Sequence, residues 1–167
     1  MEKIIDKLAR YHILNNLIPG ITFLCLLNIF SILKFEIDST IQMLFIGYFS
    51  GMTLSRIGSV IIEPLFQKIN IVRYADYKDF LKAESIDPKI SNLLEDNNMF
   101  RTFVALFLVL VILAVGNTIN VIKSFYESPY AMIVLTVALF VLYVLSYRKQ
   151  TSYIRRRVNK ATDKPID

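Results

Sequence analysis

The chain has 167 residues, of which 54% are hydrophobic, and it carries a formal net charge of +5 and a single cysteine. This apolar content argues against a soluble globular domain, and one cysteine excludes an intramolecular disulfide. Four apolar runs are close to or above the roughly 20 residues that a helix needs to cross a bilayer. The sequence therefore predicts an all-α integral membrane protein with four transmembrane helices.

The N-terminal half contains the first three predicted segments. In residues 1–12 the apolar side chains recur on one helical face, which predicts a short helix lying in the membrane interface. The first transmembrane helix is predicted over 13–34, a run too long for the apolar part of a signal peptide. Pro19 and Gly20 predict a kink in it, because proline removes a backbone hydrogen bond. The second transmembrane helix is predicted over 41–65.

The segment 66–101 separates the second and third apolar runs. Its apolar residues fall into two groups at helical spacing, with Asp87 suited to an N-cap and Pro88 to the first helical position after it. We therefore predict a small helical hairpin. The remaining predicted segments are transmembrane helices over 102–123 and 130–148 and a basic tail over 149–167.

The distribution of basic residues predicts the orientation, because Lys and Arg are held on the cytoplasmic side during insertion. Sixteen of them lie in the N-terminal arm, the central segment and the tail, whereas the two remaining loops hold only Lys34 and Lys123. Both termini and the hairpin are thus predicted to be cytoplasmic. The segments 35–40 and 124–129 are predicted to be short external turns.

Span two contains a regular stripe of small residues, which lets another helix approach closely. The pattern does not say whether this neighbour belongs to the same chain. We predict a homo-oligomer with span two at a close interface. The four helix-packing residues are Gly47, Gly51, Ser55 and Ser59.

Span two is also the only predicted span with charged residues in its interior. Arg56 lies deep in the span and must snorkel, pair or face water, since leaving it in lipid costs at least a few kcal/mol. Glu63 follows seven residues later and is predicted on the same helix face, at the cytoplasmic boundary. Either Arg56 has a function within the membrane, or it snorkels to the headgroups while Glu63 is solvated.

Other polar residues near the external third of the spans form a second group of candidates. In an oligomer they could line the mouth of a pore, together with Arg56 and Glu63 at the inner side. Equally, they could hydrogen-bond neighbouring helices and have only a packing role. These residues are Asn28, Gln42, Asn117 and Asn120.

The tail accounts for the excess positive charge of the chain, so it can attract an anionic partner. One interpretation is a nucleotide or oligonucleotide ligand, with tyrosine available for stacking; the other is anchoring to anionic lipid. The candidate residues for an anionic ligand are Arg148, Lys149, Tyr153, Arg155, Arg156 and Arg157.

Residues typical of catalysis are missing from the sequence. It contains one histidine, His12, no cluster of cysteine and histidine, and no glycine-rich phosphate loop. We therefore predict that the protein is not an enzyme and uses no metal or other cofactor.

In its span count, short external turns, intramembrane polar residues and cluster 155–157, the chain resembles small four-helix membrane effectors of bacterial anti-phage systems. The resemblance covers the whole length and includes no diagnostic motif. It implies an oligomeric protein of the bacterial inner membrane that forms or gates a pore and is held or triggered by a cytoplasmic ligand, plausibly a nucleotide or oligonucleotide. The alternatives are a non-conducting scaffold that docks a soluble partner protein through the hairpin, and an organiser of membrane lipids.

Overall fold

The computed structural model describes residues 2–30, 32, 39–87, 89–119 and 121–161, and every element within them is helical. Three helices are long and apolar enough to cross a membrane, and a shorter apolar helix covers Asn15–Ile29. The predicted all-helical class with membrane-crossing helices is confirmed at this level. The three long helices are Thr40–Lys68, Lys89–Thr118 and Ile133–Asn159.

The described residues form seven α-helices and one π-helical turn. The chain divides into two compact units, Met1–Lys123 and Ser124–Asp167. A π-helical turn, Gly58–Ile62, joins α2 to α3 without a break. The helices are α1 Glu2–Ile29, α2 Thr40–Ile57, α3 Glu63–Lys68, α4 Tyr77–Ile86, α5 Lys89–Thr118, α6 Val121–Tyr126 and α7 Ala131–Ala161.

Three helices run through points where the sequence analysis divides segments. Helix α1 continues through residue 12, α5 through residue 101 and α7 through residue 148. No glycine or proline stands at these points, and an α-helix keeps its backbone hydrogen bonds whether its side chains face water or lipid. At each of these points the amino-acid composition changes, but the helix continues.

Backbone and side-chain hydrogen bonds define the ends of the helices around the central segment. After α3, Asn70 adopts the left-handed conformation, with a φ of 60°, and its N–H donates to the Gln67 carbonyl. The Ile71 N–H donates to the Phe66 carbonyl at 2.9 Å, which completes a Schellman motif. This motif satisfies the last carbonyls of the long helix and turns the chain out of it.

Aspartates begin the next two helices. Asp76 Oδ1 accepts from the Lys78 N–H at 2.8 Å at the start of α4, and Asp87 Oδ1 accepts from the Lys89 N–H at 2.9 Å at the start of α5. Each carboxylate satisfies a backbone donor that has no partner within its helix. The predicted N-cap at Asp87 is present, whereas Pro88 lies outside the described residues.

Helices α1, α2 and α5 pack against one another in the first unit, and α4 packs on the N-terminal part of α5. Within a bilayer such a core is held by close packing, because lipid is as apolar as the side chains themselves. Ala105 and Leu106 of α5 are fully buried. The core cluster consists of Leu27, Ile32, Leu54, Leu106 and Leu110.

Candidate functional site

The contact between α1 and α2 depends on glycine. A Cβ atom added at Gly51 would lie 1.7 Å from the Asn16 carbonyl oxygen, and one at Gly20 would lie 1.7 Å from the Gly47 carbonyl oxygen. A Cβ at Gly47 would lie 2.8 Å from the Cγ1 atom of Ile21 and 3.5 Å from its backbone nitrogen. The neighbour at Gly47 and Gly51 is therefore a helix of the same chain, which answers the question that the sequence left open.

The second half of the small-residue stripe has different surroundings. Ser55 and Ser59 are partly buried, and Gly58, between them, faces α5. A Cβ at Gly58 would lie 3.1 Å from the Arg101 carbonyl oxygen and 3.2 Å from its Cγ. The long second helix thus contacts α1 through the two glycines of its first half, and it contacts α5 through both α2 and the π-helical turn.

The π-helical turn also decides the direction of Glu63. The Glu63 N–H donates to the Gly58 carbonyl, five residues back instead of four. This extra residue shifts everything after it by about 100° around the helix relative to a continuous α-helix. Glu63 is therefore turned away from the face that it was predicted to share with Arg56.

Glu63 forms an ion pair with Arg101 of α5. The Arg101 and Glu63 side chains are only 18% and 9% exposed. The Arg101 Nε atom is buried and has no hydrogen-bond partner among the described residues. A partly buried pair of this kind joins two apolar helices at the point where α5 changes from a charged to an uncharged sequence.

Sequence reasoning missed Arg101 as an intramembrane partner and assigned it to the end of the hairpin. A signal was present: Arg101 directly precedes the uncharged run of α5, and Glu63 lies near the end of the apolar run in α2. Opposite charges at the same ends of two neighbouring apolar helices favour a pair. The register shift at Gly58–Ile62, however, cannot be read from the sequence.

Arg56 occupies the other side of the second helix. It is partly buried, and it forms no hydrogen bond or ion pair with any residue that the structure describes. Five residues separate it from Gly51, so it lies about 140° around the helix from the contact with α1. Arg56 therefore belongs to an apolar helix, and no acidic side chain among the described residues pairs with its guanidinium.

The sequence predicts a second group of polar residues, near the external third of the spans. In the structure, no hydrogen bond connects the described members of this group. Asn28, Gln42 and Asn117 are exposed, and none of them bonds to another described residue. Asn120 lies outside the described residues. The side chains of Asn28, Gln42 and Asn117 are therefore accessible to the surroundings of the chain.

In the second unit, helix α7 contains the basic residues that were predicted to bind an anionic ligand. From Arg148 to its end at Ala161 the sequence contains six basic residues and no acidic one. At about 100° per residue, Lys149, Tyr153 and Arg156 share one face. The Lys149 Nζ atom lies 5.8 Å from the centroid of the Tyr153 ring, within reach of a cation–π interaction.

The other three candidates on α7 point in different directions. Arg148 and Arg155 share a face about 100° from the first, and Arg157 lies on a third. The helix therefore does not gather all six predicted residues into one pocket. It offers one basic and aromatic face, formed by Lys149, Tyr153 and Arg156, which we call the α7 basic face.

Within the described residues, no three His, Cys, Asp or Glu side chains lie close enough to hold a metal ion together. Comparison of the chain with known protein families, with curated proteins and with solved structures finds no match. The geometry of Arg56, of the ion pair and of α7 is therefore the basis for a proposal of function.

Proposed function

We propose that the protein is an oligomeric, pore-forming effector of the bacterial inner membrane. In this proposal the four apolar segments all cross the membrane, with both termini and the hairpin in the cytoplasm. An anionic nucleotide or oligonucleotide binds the α7 basic face and gates the pore, in the manner of anti-phage effectors. The single observation that carries the proposal is Arg56, a cation inside a membrane-crossing helix with no partner in the described chain.

Two alternatives were open for Arg56: a function within the membrane, or snorkelling to the headgroups. The free-energy cost of an unpaired arginine in the membrane favours the first. Arginine at the centre of a transmembrane helix costs roughly 2.5–3.5 kcal/mol on insertion scales. The ion pair of Glu63 with Arg101 removes the nearest candidate counter-charge on the same helix. Because Arg56 lies on the face of α2 opposite the glycine contact, a water-filled passage between copies would receive it.

Replacing Arg56 tests the pore directly. Arg56→Gln is expected to leave folding unchanged and to change ion flux several-fold in liposomes that contain the purified protein, because it removes the charge from the passage. Arg56→Lys retains the charge, so its ion flux should be closer to that of the original protein. The measurement is the release of a potassium gradient, and Arg73→Gln, at an exposed position, is the control. Flux that is the same in all four proteins would contradict a pore lined by Arg56.

The form of α7 supports regulation from its basic end. One helix, Ala131–Ala161, contains both the apolar run and the basic residues. A continuous helix moves nearly as a rigid rod, so a ligand that shifts the basic part also shifts the apolar part. Binding of an anion in the cytoplasm would thereby move a helix within the membrane.

Two double variants with equal charge test the ligand. Lys149→Gln/Arg156→Gln is expected to weaken binding of short single-stranded RNA, because it removes both cations of the α7 basic face. The slope of log affinity against log salt should fall by about 1.4, at roughly 0.7 per lost phosphate contact. Arg148→Gln/Arg155→Gln removes the same charge from another face and should have the smaller effect. Binding is measured in neutral detergent, so that anionic lipid does not contribute.

Equal weakening by both double variants would mean that charge alone attracts the RNA. Absence of binding to RNA, DNA and cyclic nucleotides by the original protein would overturn regulation by nucleic acid. Lipid anchoring would then be the function of the basic residues.

A second candidate function is a non-conducting scaffold. Apolar side chains are exposed on both sides of α4: Ile71, in the connection before it, is 62% exposed, and Ile86, its last residue, is 82% exposed. A soluble partner protein could cover them. Ion flux separates the two candidates, because a scaffold would leave the liposome gradient intact with or without ligand.

A further inference from the structure

The π-helical turn Gly58–Ile62 interrupts the α-helical register of the membrane-crossing helix Thr40–Lys68. Single turns of this kind are rare and occur frequently at functional sites. The Gly58 carbonyl accepts from the Glu63 N–H, so Glu63 lies about 40° from Gly58 around the helix. Gly58 contacts Arg101. The turn therefore directs Glu63 to the face on which it forms its ion pair.

Helix α3, which follows the turn, has little packing of its own. Its main packing contacts within the described residues are with the π-helical turn, and none of its six residues is buried. The Schellman motif at its end is formed within the same segment, between the Ile71 N–H and the Phe66 carbonyl. The ion pair of Glu63 with Arg101 joins the start of α3 to α5. A rotation of α3 would thus break this pair and disturb little else.

Pro64 reduces the preference of the backbone for an α-helical register at this point. Proline has no N–H, so residue 64 donates no backbone bond in either register. In the α register its ring would also clash with the Val60 carbonyl, four residues earlier. The Glu63 N–H has one acceptor in each case, the Gly58 carbonyl in the π register and the Ser59 carbonyl in the α register. Closing the turn would therefore exchange hydrogen-bond partners without adding a bond.

The α register would place Glu63 on the face of Arg56. Residues seven apart in a continuous α-helix lie within about 20° of one another and about 10.5 Å apart along the axis. The Cα–Cβ bond of Glu63 tilts toward the N-terminus, and so toward Arg56. The two side chains can then meet directly or through one water. By the same rotation Ile62 would take the place of Glu63 opposite Arg101.

We propose that the π-helical turn is a register switch through which Glu63 pairs with either of two cations. The partner is Arg101 when the turn is open, as in this structure, and Arg56 when the turn is closed. Arg56 has no partner among the described residues, so it can receive the carboxylate. Arg101 retains a buried Nε without a hydrogen-bond partner even when paired. The switch goes beyond the proposed function and does not require a pore.

A thermodynamic cycle tests whether the two arginines share one carboxylate. With Arg101→Leu the first partner is absent, and Glu63 is expected to turn to Arg56. Adding Arg56→Gln should then lower the midpoint of thermal unfolding in detergent by several degrees, whereas it should hardly change the midpoint of the original protein. Arg73→Gln, at an exposed position, is the control in both backgrounds. Equal shifts by Arg56→Gln in the two backgrounds would overturn the switch.

Deletion of Val60 gives a locked form of the same helix. It removes the extra residue of the turn, so the α-helix can run through while Glu63 remains directed at Arg101. Arg56→Gln should then have the same small effect with and without Arg101→Leu. Coupling between the two arginines that persists after the deletion would show that the turn is not the switch.

Spin-label distances follow the rotation itself and do not depend on the deletion variant. In a Cys25→Ser background, Gln67→Cys places a label on α3 and Ile112→Cys places one on α5, both at exposed positions. A rotation of 100° moves the end of a side chain by about 8 Å, at the 5–6 Å radius of a helix with its side chains. Arg101→Leu is expected to shift the distance by several ångströms, and added Arg56→Gln to reverse the shift. The same distance in all three proteins would overturn the switch.

None of these measurements depends on ion flux, so the switch and the proposed pore fail separately. Flux that depends on Arg56, with unchanged label distances, would retain the pore and reject the switch. A shift of the labels in a protein without flux would retain the switch and reject the pore.

Discussion

Gly51→Ala is expected to disrupt the packing of α1 on α2 more severely than Gly47→Ala. The two substitutions are chemically identical and lie one helical turn apart. At Gly51 the added Cβ would lie 1.7 Å from the backbone oxygen of Asn16, and a backbone within a helix cannot move aside alone. At Gly47 the nearest atom is the side-chain Cγ1 of Ile21, at 2.8 Å, and the nearest backbone atom lies 3.5 Å away. The helices would have to separate in the first variant, whereas in the second the Ile21 side chain would have to shift by a smaller amount.

The loss for Gly51→Ala should exceed the roughly 1–3 kcal/mol typical of overpacked cores. Thermal unfolding in detergent, followed by circular dichroism, measures it, together with the yield of folded protein. Gly20→Ala should behave like Gly51→Ala, because its Cβ would meet the Gly47 carbonyl oxygen. If Gly51→Ala were as stable as Gly47→Ala, the close contact of these two backbones would be wrong.

Removing one partner of the ion pair between Glu63 and Arg101 is expected to lower the free energy of unfolding by about 3 kcal/mol. Arg101→Leu leaves a carboxylate in a site that is 9% exposed, and Glu63→Leu leaves a guanidinium that is 18% exposed. Leucine retains the Cγ position that lies against Gly58. The loss would therefore report the unpaired charge and not a lost contact with the π-helical turn.

The double variant distinguishes a charge effect from a packing effect. Glu63→Leu/Arg101→Leu leaves no unpaired charge, and replacing a buried pair with apolar residues is often neutral or stabilising. Its stability in detergent should return to near that of the original protein. Arg73→Leu, at an exposed position, is the control for loss of a single positive charge. A double variant as unstable as the single variants would show that the pair itself contributes the stability.

The sequence was most informative about features that depend on the residues of a single segment. The apolar runs, the N-cap at Asp87 and the close-packing glycines at Gly47 and Gly51 are local features, and each is found in the structure as a helix, a cap or a contact. The segment boundaries at residues 12, 101 and 148 were drawn from changes in composition. The helical hydrogen bonds continue through these three points.

The sequence by itself predicted an all-helical chain with four membrane-crossing runs, because length and hydropathy are properties of single segments. Three helices of the structure are long and apolar enough to cross a membrane, and a shorter apolar helix covers Asn15–Ile29. Only the tertiary structure decided which side chains meet. It paired Glu63 with Arg101 instead of Arg56, because the π-helical turn shifts the register after Gly58. It also placed α1 against the glycines of α2, since the choice among neighbouring helices depends on contacts between residues distant in the chain.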